Sequence, residues 1–440
     1  MNCNRRVVKN RIFWPDTVKR TDVSQVWMKI YNKASALLLF FGELVHSFCQ
    51  RYPKVNFGFV LASTTYLLIN GLFVVKYSTR LMGLGAYLIL FVYLAFLVFF
   101  GVLYAKIRMD HYYKPLFLFL TLFFFGFTIY LNITVDGNSL NVDRWSAMEV
   151  GIKAFLNGEY PYSAVDHLGG RTSNLPTLIF LGIPFYFLGG VGFLQSFCFL
   201  VFAYVVFILF DNYKERLFCL ILLIFSPSYL WELYAKSDLM SNLILILLFL
   251  SIVHPRFSKG KDGGVWFLVL ISFIGTSLVL TRLVAIIPIS LLLVKRFFSY
   301  SIRAKVVFSL VSLLTAALFL YLGFRKVESI EHLLNHNPFN LQNSQLPVVV
   351  SFLMVCLPVV YSFFIKNLES LIKSTVFFLI FPILIAFSII VSDNGIYSSV
   401  VDSAYDISYF NIVMPFLLIA ITLEYSSVQG EKKYCSRLPL

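Results

Sequence analysis

Most of this chain is apolar, so the few places where acids and bases gather are where chemistry has to be sought. One is VDRWSAMEVGIKAFLNGEYPYSAVDHLGGRTSNLP, residues 142–176, which holds Asp143, Glu149, Tyr162 and Arg171, with Asp136 just upstream in VDGN. Two more lie downstream: AKSDLMSN brings Lys236 and Asp238 to the mouth of an apolar run, and Arg282 stands alone between two such runs in VLTRLVA. A carboxylate can take a proton from a hydroxyl, and an arginine can grip a phosphate with two N–H groups. Ionisable residues at the edge of a membrane segment serve function or snorkel to the surface. Each also has a plain alternative. Asp143 can cap a helix, Asp136 suits a turn, and Lys236 and Asp238 can pair with each other. Tyr160 and Tyr162 suit a membrane-interface belt. His167 and Arg171 lie in a glycine-rich loop where solvation is the default. His332 and His336 in EHLLNHN are four apart but have no third partner at metal-ligand spacing, so neither a metal nor a cofactor is expected.

The elements that must position these residues are membrane helices. The chain has 440 residues, 59% of them apolar and only 13% charged, against about half and about a quarter in soluble domains. LMGLGAYLILFVYLAFLVFFGVLYA (81–105) exceeds the roughly 20 residues that cross a bilayer as a helix, and no run alternates as a membrane barrel would. The expectation is an all-α polytopic protein with about 12–13 transmembrane helices. The apolar stretches are 57–75, 82–105, 115–135, 174–190, 191–210, 215–231, 238–254, 264–281, 283–298, 304–324, 347–365, 374–392 and 408–425. The net charge of +14 reflects basic loops obeying the positive-inside rule, not nucleic-acid binding. By that rule 106–114, 254–264, 295–305 and 366–373 are cytoplasmic, and 136–173, 325–346 and 393–407 are exterior. The basic start, with no cleavage site, reads as a cytoplasmic tail over 1–56. Within it, ASALLLFFGELVHSFC (34–49), with Glu43 and His46, reads as an interfacial helix. No cysteine falls in an exterior loop, so no disulfide framework is expected.

Two local features stand out. Residues 143–158 have the parts of a short amphipathic helix: Asp143 at the start, Trp145, Met148, Ile152 and Phe155 on one face, a Glu149–Lys153 pair four apart, and Gly158 as a stop. Such a helix is expected to lie flat in the interface, with Trp145 at headgroup level. The second feature is a parity conflict. Four apolar segments lie between the exterior loop ending near 173 and the basic loop at 254, where an odd number of crossings is required. One of them is broken, re-entrant or merged, and 174–190 and 215–231 are the shortest and carry glycine and proline breakers. Irregular backbone at membrane depth survives only against protein or a wet cavity, so a cavity is expected here.

The order Asp143, amphipathic helix, Gly158, Pro161–Tyr162, then Pro176 and Pro184 at the head of a span resembles the first exterior loop of GT-C glycosyltransferases. The nearest resemblance is to the branch of GPI mannosyltransferases and bacterial polyprenol-phosphate-mannose mannosyltransferases. Lys236, Ser237, Asp238 and Asn242 resemble the polar cluster entering a later span, and Arg282 the basic residue at an exterior junction. The resemblance covers residues 115–300 as a catalytic module, with 57–114 as two extra N-terminal helices and 301–440 as C-terminal helices. It implies transfer of a sugar, a hexose such as mannose, from a polyprenyl-phosphate carrier to a glycan or lipid-linked acceptor on the non-cytoplasmic face, with inversion. It implies Asp143, or Asp136, as the base. It implies Arg282, with Lys236 or Arg171, as holders of the donor phosphate, and Asp238, Tyr162 and Glu149 as substrate contacts. The chain departs from that pattern in its two extra helices and in NLPT, where relatives carry an aromatic residue before the proline. Two other readings compete: an O-antigen-type polysaccharide polymerase or ligase, and a lipid-linked saccharide transporter. The compact loops without cysteine favour a bacterial inner membrane.

Overall fold

The computed structural model describes residues 56–107, 109–258, 264–343 and 346–428. The expected interfacial helix at 34–49 lies outside the described residues. The helices in chain order are α1 Phe57–Met82, α2 Ala86–Lys106, α3 Asp110–Thr134, α4 Arg144–Leu156, α5 Pro176–Phe187, α6 Phe193–Leu209, α7 Tyr213–Ile224, α8 Pro227–Tyr234 and α9 Leu239–Ser258. They continue with α10 Val265–Val279, α11 Ile286–Ser299, α12 Ile302–Phe324, α13 Ile330–Asn335, α14 Pro338–Asn343, α15 Val348–Tyr361, α16 Leu368–Val400 and α17 Met414–Val428. Every apolar stretch read from the sequence is helical, and no strand occurs among the described residues beyond a single Val165–Arg171 bridge. The protein is an all-α polytopic membrane protein. By length and composition, five helical stretches are able to cross a bilayer: Phe57–Lys106, Asp110–Thr134, Leu239–Phe257, Ile302–Phe324 and Leu368–Val400. The bent pair α7–α8 makes up to six, and shorter apolar helices pack among them.

The parity conflict has a visible counterpart. The segment read at 215–231 is two helices, α7 and α8, bent by 61° at Phe225–Ser226. Pro227 begins α8, where its missing N–H is no loss, and Ser226 accepts from the Tyr229 N–H. The buried turn is satisfied from α1: Asn70 Oδ1 accepts from Ser226 Oγ at 2.7 Å and from the Ser228 N–H at 3.2 Å. At 12 residues, α5 and α7 each reach only about 18 Å, short of the roughly 30 Å hydrocarbon core.

Helix α9 lies at the centre, with 67% of its apolar window buried against 11% for α12. The loops segregate to the two ends as the lysines and arginines imply. At one end, Arg144 pairs with Asp406, Tyr160 Oη donates to His336 O at 3.0 Å, and Gln342 Nε2 donates to Ser173 O at 2.5 Å. These contacts join 136–173, 325–346 and 393–407. At the other end Lys295 Nζ donates to Ile365 O at 3.1 Å, and Arg296 donates to Phe257 O. The N-terminal helices belong to this same body. Tyr66 Oη donates to Leu222 O at 2.7 Å, and Arg80 donates to Val401 O and Ser403 Oγ.

The amphipathic helix forms as read, but its apolar face meets protein rather than lipid. Met148 and Ile152 are buried against α5 where Gly182 leaves room, a Cβ there coming within 2.7 Å of Ile152 Cδ1. Phe155 stacks edge-on against Phe180, centroids 4.8 Å apart. Trp145, half-buried, covers Gly137, and the Lys236 ammonium lies 5.4 Å from its ring.

Candidate functional site

Asp238 sits immediately before α9, and Arg282 in the extended link that follows α10. The two links meet because α5 begins against the end of α10: Leu175 N–H donates to Thr281 O at 3.4 Å and Thr177 N–H to Leu280 O at 3.2 Å. That contact places Asn174 beside Arg282. Arg282 Nε donates to Asp238 Oδ2 at 2.8 Å, and Nη2 donates to Asp238 Oδ1 at 2.7 Å and to Asn174 Oδ1 at 3.1 Å. Asn242, one turn into α9, donates to Asp238 Oδ2 at 2.7 Å. Only 5% of Arg282 and 2% of Asp238 is exposed. A buried, two-pronged pair of this kind fixes the guanidinium plane and leaves Nη1 without a bond among the described residues.

A second ion pair joins α4 to the loop before α17. Arg144 donates to Asp406, whose other oxygen takes the Ser408 N–H at 2.9 Å, and the guanidinium stacks 5.4 Å from the Tyr409 ring centre. Burial alone would lower the Arg144 pKa, but the charges of Asp406, Tyr409, Asp143 and Asp238 together raise it. Burial likewise pushes Asp406 up, and the Arg144 charge with the Ser408 bonds outweighs it, so the carboxyl is held below its ordinary range. Arg144 thus feels Asp143 and also Asp238, the partner of Arg282, which ties the two pairs into one cluster.

Asp143 occupies the N-cap position of α4, yet its carboxylate makes no capping hydrogen bond. Its Oδ2 lies 3.2 Å, and Asp166 Oδ2 lies 2.7 Å, from the point where a Cβ on Gly170 would be. Asp166 is buried; its Oδ1 accepts the Leu168 and Gly170 N–H groups at 2.8 and 2.9 Å while Oδ2 has no partner. Asp136 is an exposed turn acid that accepts from the Asn138 N–H at 3.0 Å.

Lys236 does not pair with Asp238. Its ammonium donates to Asn132 O at 3.2 Å and to Val135 O at 2.7 Å, at the end of α3. Burial lowers its pKa, with Asp136 and Glu149 pulling the other way. Glu149 forms no ion pair with Lys153; burial raises its pKa and Lys236 and Lys153 oppose that. Arg171 is exposed, and its backbone makes the bridge to Val165. Tyr162, 1% exposed, stacks on Phe324 with centroids 5.2 Å apart, and Tyr160 is buried edge-on beside it, so neither ring faces a lipid interface. His332 and His336 touch ring to ring, and no group of three metal-ligating side chains occurs among the described residues.

Several polar residues of this end were not singled out by the sequence. Glu232 is wholly buried, taking the Met240 N–H on one oxygen and Asn411 on the other, both at 2.7 Å. Lys76, one turn before Arg80 on α1, is buried and feels the charge of Asp406 without contacting it. Both are charges inside apolar runs, which is the signal that would have flagged them.

Beside the cluster lies a cavity of about 270 Å³. Its polar end carries Arg282, Gln342, Ser173 and Tyr409, and its walls are apolar side chains of α15 and α16 such as Met354 and Ile383. A larger cleft of about 390 Å³ between α1, α2, α7 and α17 has no charged lining among the described residues. The first cavity therefore combines a fixed cation with a greasy channel, the shape of site that suits an amphiphilic anion. Comparison with protein-family models, with curated proteins and with solved structures finds no match.

Proposed function

We propose that the protein is a glycosyltransferase of the GT-C type that moves a sugar from a polyprenyl-phosphate carrier to a glycan or lipid-linked acceptor. The observation that carries this reading is the cavity that runs from Arg282 between α15 and α16. A lipid phosphate has the matching form, an apolar tail behind a single anionic group. Arg282 lines that cavity, and its Nη1, without a bond among the described residues, is the group assigned here to a phosphate oxygen. In the reaction the acceptor oxygen attacks the anomeric carbon from the face opposite the phosphate. The sugar–phosphate bond breaks with its electron pair going to the phosphate, and the acceptor proton passes to a carboxylate. Asp143 is the carboxylate free to take it, since it makes no capping bond and lies in the same charged cluster. The leaving group departs as a stable anion, so no strong general acid is required, in contrast to glycoside hydrolysis with its paired carboxylates. Arg282 stabilises charge that develops as the bond breaks. Asp238, engaged on both oxygens, acts through Arg282 and not on the sugar. The loops of this end are those that the positive-inside rule places outside, in a bacterial inner membrane.

The test is a donor screen. Purified protein in detergent is given polyprenyl-phosphate-linked hexoses and pentoses with lipid-linked or oligosaccharide acceptors, and free polyprenyl phosphate is measured. Release from one donor, dependent on acceptor, supports the reading. No release from any donor and acceptor pair, with a folded protein, removes it.

A further inference from the structure

The end of the bundle away from the candidate site has a cavity of its own, about 210 Å³, between α9, α11 and the turn after α15. His254 lines it from α9, 16 residues beyond Asp238, and so about 24 Å along the same helix. Lys295, Arg296 and Lys366 supply three cations to its wall, and among the described residues no carboxylate lines it. Arg296 is anchored by Phe257 O and stacks 5.1 Å from the Phe257 ring centre, and Lys295 is anchored by Ile365 O. The Lys366 ammonium has no ion partner among the described residues. The described acids nearest in sequence do not balance this charge. Glu369 is bound by Lys373 at 2.7 Å, and Lys373 also pairs with Glu424. A pocket lined by three cations and by no acid among the described residues attracts an anion small enough for its volume. Basic pockets between membrane helices on the cytoplasmic side are where anionic lipid head groups bind.

We propose that this cavity binds a phosphate group, supplied by the head group of an anionic membrane lipid. The basic loops that form it are those the positive-inside rule assigns to the cytoplasm, where a phospholipid head group lies level with the helix ends. Lys295 and Arg296 hold the phosphate oxygens from the end of α11, and Lys366 closes over them from the turn before α16. The site is separate from the sugar-transfer reading and does not depend on it.

The experiment is a thermal-shift titration of the full-length protein in detergent. Dioctanoyl phosphatidylglycerol, dioctanoyl phosphatidylcholine and inorganic phosphate are the three arms. A ligand that binds the folded state raises the melting temperature. Phosphatidylglycerol is expected to do so saturably and phosphatidylcholine not. Lys295→Gln with Lys366→Gln, which removes two charged contacts, is expected to raise the half-saturating concentration at least about tenfold. Lys366→Glu alone, which removes no internal bond, is expected to weaken binding in the same direction. Lys153→Gln, at the other end, is expected to leave it unchanged. Equal stabilisation by inorganic phosphate supports the phosphate site and identifies a soluble source in place of the lipid. A phosphatidylcholine response equal to that of phosphatidylglycerol, or an unchanged titration in both lysine variants, overturns the proposal.

Discussion

Arg282 and Asp238 meet edge to edge, Nε to Oδ2 at 2.8 Å and Nη2 to Oδ1 at 2.7 Å, with both side chains almost wholly removed from solvent. They come from links that are 44 residues apart in the chain, one opening α9 and the other following α10. The pair is neutral as a unit, which is what makes its burial bearable. It also sets the orientation of the one cation that lines the apolar cavity.

Removing one member leaves the other charged and buried. Asp238→Ala is therefore expected to cost about 3–5 kcal/mol of stability, and the double replacement Asp238→Ala with Arg282→Met to recover most of it. Denaturant unfolding in detergent reads both. A double variant no more stable than Asp238→Ala alone would show that the pair does more than neutralise itself.

Asp143→Asn separates chemistry from folding. The carboxylate makes no capping bond, and asparagine is as good a residue at that position, so stability is expected to change by no more than about 0.5 kcal/mol. Sugar transfer is expected to fall by about 10²–10⁴-fold, the usual worth of a general base. Full transfer by the variant would take Asp143 out of the reaction.

The helices were legible because only helices and closed barrels satisfy a backbone in lipid and no run alternates as a barrel strand would: each apolar run became a helix, and the amphipathic spacing of Trp145, Met148, Ile152 and Phe155 became α4. The break near Ser226 was legible as a parity conflict between the exterior loop ending near 173 and the basic loop at 254, and 215–231 was one of the two segments where the breakers placed it. What covers the apolar face of α4 was not legible, because lipid and protein interiors ask for the same residues. Only Gly182, an unremarkable glycine in a span, marks the close approach. The partners of the charged residues were hidden for a different reason. Spacing along the chain says that Lys236 and Asp238 are two apart, but Lys236 has φ +51°, a left-handed turn. That turn sends its ammonium to the end of α3 while Asp238 turns to Arg282. Asp406, Asp166 and Lys76 reach the cluster only through the tertiary fold.

Gly182→Val tests the seat of α4 on α5. A Cβ at 182 would already press on Met148 and on Ile152 Cδ1, and valine adds two methyl groups. Overpacking of this kind costs about 1–3 kcal/mol, and Gly182→Ala is expected to cost less because the Met148 thioether end can swing away. Melting temperatures in detergent should fall in the order parent, alanine, valine. A valine variant as stable as the parent would mean that α4 is not held where it is described.

The Arg144–Asp406 pair carries a pH signature whose sign is fixed by its charges. An unfolded aspartate titrates near about 3.9, and in the folded protein Arg144 holds Asp406 lower. The folded state therefore binds this proton less readily than the unfolded chain. The stabilisation is fully present above the unfolded value and is lost as the pH falls through the folded one. Part of the Asp406 side chain, 39%, still faces solvent, so screening reduces the effect below that of a sealed pair. Melting of the parent and of Asp406→Asn is compared from pH 7 down to the acid limit. The parent is expected to be the more stable by a constant margin through the neutral range, and the margin is expected to shrink below about pH 4. A margin that widened on acidification, or that never changed, would mean that Arg144 does not hold the Asp406 charge.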